Sequence, residues 1–110
     1  MQRDRGYLLD ILDAARLALS YVDKVTKEEF LHDVQRQDAV IRRLGIIGEA
    51  AGRVSEDLRT VLPNLPWAEM VGIRNLLIHQ YGDIDLDIVW DTLQIDLPSL
   101  IDDIERYFSS

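Results

Sequence analysis

Cysteine is absent from this 110-residue chain, which removes disulfides, iron–sulfur clusters and thiolate zinc sites in one step. Histidine is nearly absent. His32 and His79 are the whole supply, too few for a histidine-rich metal centre within one protomer, so neither metal nor cofactor is expected. No apolar run approaches the roughly 20 residues that a membrane-crossing helix needs. The first apolar stretch, Gly6 to Leu12, is bounded by charges, so no secretory leader is expected and the expected location is the cytosol. Strand-like alternation, internal repeats and low-complexity tracts are missing too. The length excludes two independent cores, each of which would bury too little apolar surface, so residues 1–110 form one domain.

Positive charge is also in short supply. The net charge of −8 argues against a general nucleic-acid coat protein, which needs a basic surface to displace counterions from phosphates. The deficit is local, however. Residues 83–110 hold eight acids and one base, Arg106, whereas residues 1–82 hold twelve acids and eleven bases. Ten of the twelve bases are arginine, the side chain whose planar fork suits phosphate, and five of them lie between Arg36 and Arg59. Taken alone, those arginines read first as a solvated helix face.

What is present is helical periodicity. From about Arg5 to Asp23, Leu8, Ile11, Leu12, Ala15, Leu19 and Val22 recur at three- and four-residue spacings. Thr26-Lys27-Glu28-Glu29 reads as a capping box that opens a short turn of helix through Phe30 and Leu31. A long helix is predicted from about Asp33 to Leu62, with a stripe of Val40, Leu44, Ile47, Ala51, Val54 and Leu58. Gly45, Gly48 and Gly52 sit beside that stripe, each costing about 1 kcal/mol of helix propensity. Close approach of a neighbouring helix, from the same chain or a second copy, would offset the cost. After the Leu62-Pro63-Asn64-Leu65-Pro66 connector, a helix is predicted from about Pro66 to Tyr81, ending at Gly82. A last helix, capped by Asp85, carries Trp90, Leu93, Leu97, Leu100, Ile104 and Phe108, and Pro98 is expected to kink or divide it. The predicted fold is an all-α antiparallel bundle of four principal helices.

The segment Arg74-Asn75-Leu76-Leu77-Ile78-His79-Gln80-Tyr81 holds the candidate chemistry. On a continuous helix at about 100° per residue, Trp67, Met70, Val71, Leu77 and Ile78 fall within roughly 60° of Arg74. Arg74 is then central to an apolar arc, where a charge is costly unless it is paired or faces a wet cleft. Tyr81 falls about 20° from Arg74, and His79 about 140° from it, on an edge with Ala68, Gly72 and Asn75. Two readings fit. Arg74 and His79 can border one cleft as a catalytic pair, or they can be a buried ion-pair partner and a histidine stabilised at a helix C-terminus. Glu49 and Arg53, at i,i+4, suit a surface pair, though Glu49 can also border the cleft. Asp83-x-Asp85-x-Asp87 could suggest a magnesium site or the paired aspartates of a nucleotidyltransferase. The strand and Gly-Ser loop of such an enzyme are missing, which favours linker and helix-start acids.

The string RNLLIHQY resembles the RxxxxHxY signature of HEPN proteins in its HepT-like form. Around it, QDAVIRRLGIIGEAAGRVSEDLR, the Leu65-Pro66-Trp67 helix opening and DLDIVWDTLQIDLPSL are similar to that family in the same order. The resemblance spans nearly the whole chain. It implies a four-to-five-helix HEPN-like domain that forms a homodimer, bringing two motif helices into a shared cleft. It implies a toxin: a metal-independent endoribonuclease with Arg74 and His79 as catalytic residues and Asn75 and Glu49 as candidate cleft support. It further implies a companion, a minimal nucleotidyltransferase antitoxin, that attaches AMP to Tyr81. The residues suit the chemistry, because a neutral histidine can take the 2′-OH proton and an arginine can stabilise charge on the phosphorane. The alternative is a non-catalytic helical partner of the nucleotidyltransferase, and the intact arginine and histidine favour the nuclease.

Overall fold

The apolar stripe predicted for the first segment forms one face of α1 (Gln2–Tyr21), in a computed structural model that describes residues 2–78 and 82–110. Leu8, Ile11, Ala15 and Ala18 are fully buried. The helix gives way to a turn in which Lys24 adopts φ 60°. Next, α2 (Lys27–Leu31) begins with the expected capping box: the Thr26 hydroxyl accepts from the Glu29 N–H, and the Glu29 carboxylate accepts from the Thr26 N–H. Phe30, buried, packs against Trp90 with ring centroids 5.5 Å apart.

The second long helix, α3 (Val34–Arg53), runs antiparallel to α1. Arg36 in its first turn and Arg43 at its middle donate to the Tyr21 carbonyl and hydroxyl, respectively, at the end of α1. Just past its end, Ser55 bonds Asp4 at the start of α1. The predicted helix over 33–62 is in fact divided. Val54 is extended, and Ser55 caps a separate helix, α4 (Glu56–Val61), by accepting from the Leu58 N–H. A serine followed by two acids is a helix start, and Asp4 holds it in place. Val54 and Leu58 stay buried across the break, so the stripe alone could not reveal it.

The helix predicted over 66–81 is shorter and broken. It consists of α5 (Trp67–Val71) and α6 (Ile73–Leu76), with Gly72 between them. Past α6 the Leu77 carbonyl accepts the Asp85 N–H at 2.7 Å, and Ile78 pairs with Ile84 in an isolated antiparallel bridge. The Leu77 carbonyl is thus engaged by Asp85, and α6 ends at Leu76, well before Gly82, whose φ of 87° is one that glycine adopts readily. Finally, α7 (Leu86–Asp91) leads through a π-helical turn (Thr92–Asp96) into α8 (Leu97–Ser109). Pro98 lies in the first turn of α8, where its missing N–H is tolerated, and the widened turn precedes it. Leu93, Leu97 and Ile104 complete the core between α8, α1 and α3. The result is an all-α bundle in which the third principal helix predicted, over 66–81, is a pair of short ones; among the described residues no strand forms.

Candidate functional site

The α5–α6 pair lies against α3 at the glycines. A Cβ on Gly48 would stand 2.9 Å from Ile73 Cγ2 and 3.1 Å from the Met70 carbonyl oxygen. Gly48 is therefore consumed by close packing inside the chain. Gly45 faces the guanidinium of Arg74, whose Nη2 and Nε would lie 3.5 and 3.6 Å from an added Cβ. Gly52 meets nothing within 4 Å. The glycine edge expected to serve a neighbouring helix thus serves one of its own chain at two of three positions.

Arg74 stands at the edge of the buried stripe, and the arc centred on it in the sequence reading does not form. Met70, Ile73 and Leu77 are buried, whereas Val71 and Ile78 are exposed. Arg74 itself is exposed and makes no hydrogen bond or ion pair among the described residues. The wet-cleft alternative therefore holds, and the buried-pair reading fails. Arg74 separates two adjoining hollows between α3 and α6. One, of about 320 Å³, is lined by Ile41, Arg42, Gly45, Ile46, Glu49, Arg74, Leu77, Ile78 and Ile84. The other, of about 240 Å³, adds Gly48, Gly72 and Asn75. Three of the predicted residues, Arg74, Asn75 and Glu49, are brought together. The calls on His79 and Tyr81 lie outside the described residues.

One sequence expectation changes here, and one further residue joins the cleft. Glu49 forms no pair with Arg53 among the described residues and lines the cleft instead. Arg42 was not singled out, yet it shares the cleft. The signal was present: Arg42, Gly45, Ile46 and Glu49 follow the i, i+3, i+4, i+7 spacing of one helix face. The aspartate cluster has structural roles. Asp85 caps α7 by accepting from the Asp87 and Ile88 N–H groups, and Asp87 pairs with Lys27 at 3.0 Å.

A larger hollow, about 420 Å³, lies on the other flank of α5–α6, against the π turn and α8. Its charged lining is Glu69, Asp96 and Asp103, without a base. A polyanion is repelled there, whereas the Arg42–Arg74 cleft offers two cations against one carboxylate. Size and electrostatics disagree, and for phosphate chemistry the electrostatics decide.

An all-α bundle with an uncommitted arginine in a cation-rich cleft, followed at once by the rest of an RxxxxHxY string, defines a HEPN-type protein. Residues 11–107 match the family described as ribonuclease HepT-like, and the chain belongs to that family. It is 39% identical over 101 residues to a Methanocaldococcus jannaschii protein provisionally named an RNase, covering 92% of this chain and 93% of the relative. A Thermococcus cleftensis protein provisionally named ribonuclease HepT is 39% identical over 102 residues, 93% of each chain. A provisionally named RNase of Caldanaerobacter subterraneus is 33% identical over 100 residues, 91% of this chain and 89% of the relative. No solved structure matches the chain with significance.

Proposed function

We propose that this member of a ribonuclease family is the toxin of a toxin–antitoxin pair and cuts RNA internally, without metal, at Arg74 and His79. The observation that carries the reading is the Arg74 guanidinium, without a hydrogen bond or ion pair among the described residues and laid over the bare backbone of Gly45 in a cleft that also holds Asn75. Holding a charge there without a carboxylate partner leaves its fork free for a phosphate. The 2′-OH of the substrate attacks the adjacent phosphorus, the bond from phosphorus to the 5′-oxygen breaks, and a 2′,3′-cyclic phosphate and a 5′-hydroxyl result. His79 accepts the 2′-OH proton or protonates the leaving oxygen, and Arg74 neutralises the phosphorane. RNA supplies the nucleophile, so none is required of the protein.

The proposed working unit is a cytosolic homodimer with the two motif segments in one cleft, and its companion is a minimal nucleotidyltransferase that attaches AMP to Tyr81. The test is cleavage of purified cellular RNA with analysis of the new ends. The reading expects cyclic or 3′-phosphate ends, persistence of activity in EDTA, and loss of activity in Arg74→Lys. Inhibition by EDTA or full activity of Arg74→Lys overturns the mechanism. Failure to cut any RNA leaves the helical-partner reading.

A further inference from the structure

Of the ten arginines, Arg5 stacks on Phe108, Arg59 stacks on Trp67, and Arg16, Arg36, Arg43 and Arg106 make hydrogen bonds or ion pairs. Four remain uncommitted among the described residues: Arg3, Arg42, Arg53 and Arg74. Two of those four, Arg42 and Arg74, line one cleft of about 320 Å³, from opposite elements, α3 and α6. In a chain with twenty carboxylates, leaving two guanidinium groups unpaired on one concave surface sacrifices available ion pairs. A ligand with more than one negative charge explains that arrangement.

We propose that Arg42 is a substrate-positioning residue, binding an RNA phosphate next to the one held by Arg74. The proposal rests on the reading of the Arg74 cleft as the RNA site. Arg42 lies seven residues before Glu49 and three before Gly45 on the same face of α3. A strand crossing Gly45 to reach Arg74 therefore passes Arg42. Arg42 carries no chemistry in the cleavage step and acts on substrate hold and register.

The test uses a 2′-O-methyl single-stranded RNA, which binds but lacks the attacking hydroxyl, titrated by fluorescence anisotropy over a salt series. Arg42→Gln is expected to weaken binding several-fold and reduce the steepness of the log–log salt dependence by about 0.7, the value for one single-strand phosphate contact. Arg42→Lys should keep the slope, because a point charge still displaces the counterion. Arg3→Gln removes the same charge outside the cleft and should change neither quantity. In cleavage of unmodified RNA, Arg42→Gln should act mainly through KM, and Arg74→Gln mainly through kcat. Equal losses in Arg42→Gln and Arg3→Gln, an unchanged salt slope, or a defect confined to kcat overturns the proposal. If Arg74→Gln keeps full kcat while Arg42→Gln still loses affinity and slope, the catalytic reading fails and the Arg42 contact stands.

Discussion

The Asp4 carboxylate accepts two hydrogen bonds from Ser55, 2.9 Å from its backbone N–H and 2.6 Å from its hydroxyl, across 51 positions of chain. Ser55 in turn caps α4, so one carboxylate fixes the start of α1, the break after α3 and the helix beyond it. These bonds favour the ionised form and lower the Asp4 pKa below its ordinary value of 3.8. A depressed carboxylate pKa contributes stability that is fully present above the unfolded value and is lost as pH falls through the folded one. Asp4→Asn should therefore lower the melting temperature at pH 7. The gap to wild type should narrow as pH falls below about 4. Melting curves at pH 7, 4 and 3 check this, and a gap that stays constant refutes it.

Gly48 and Gly52 should respond to alanine with opposite signs. At Gly48 the new methyl meets the Met70 carbonyl and Ile73, and one of them must move; overpacking of this kind costs about 1–3 kcal/mol. At Gly52 there is open space, and alanine should gain up to about 1 kcal/mol of helix propensity, less for its place in the last turn. Urea denaturation of both variants measures the pair. Stability retained in Gly48→Ala would mean that α5–α6 does not seat on α3 as described.

His79→Ala should slow RNA cleavage by roughly 10²–10⁴, the scale of a lost general acid or base. If the site is composite across a dimer, mixing Arg74→Ala and His79→Ala protomers should restore activity. One of the two composite Arg–His pairs in each mixed dimer is then intact, and half of the randomly formed dimers are mixed, so mixing recovers about a quarter of wild-type activity. No recovery, with mixed dimers verified by mass, would place both residues of each site on one protomer.

Tyr81 is the proposed control point. Co-expression with the companion nucleotidyltransferase should add one or more AMP units to the chain, and Tyr81→Phe should remove the gain. On the proposed reading, the added phosphodiester would set negative charge and bulk against RNA binding. Intact-mass spectrometry reads the result directly. A gain that persists in Tyr81→Phe assigns the modification elsewhere.

The bundle is legible because burial repeats with the helix: every residue of the stripe predicted over 33–62 is buried, and so are Leu8, Ile11, Leu12 and Ala15 of α1 and Val22 just past it. The breaks were less legible. Val54 and Leu58 keep the stripe in phase across the Ser55 cap, and the cue lay in Ser55-Glu56-Asp57 instead. The stop after Leu76 depends on the bond from Asp85 to Leu77, a contact between neighbouring segments that local periodicity does not encode. Arg74 could be placed by elimination, since a charge beside Ile73 and Leu77 needs water or a partner. Arg42 could not, because an exposed arginine on a helix looks alike in sequence whether or not a second one faces it.

The two concave faces on either flank of α5–α6 make that thin pair of helices a partition between opposite potentials. On one side stand Arg42 and Arg74; on the other, Glu69, Asp96 and Asp103. A polyanion drifting toward the protein therefore exerts a torque as well as a net repulsion. The repulsion slows encounters of the whole molecule, while the torque turns the arginine side toward the strand before contact. Overall acidity would then act as an orientation filter, rejecting badly aimed collisions and favouring those that arrive cleft first.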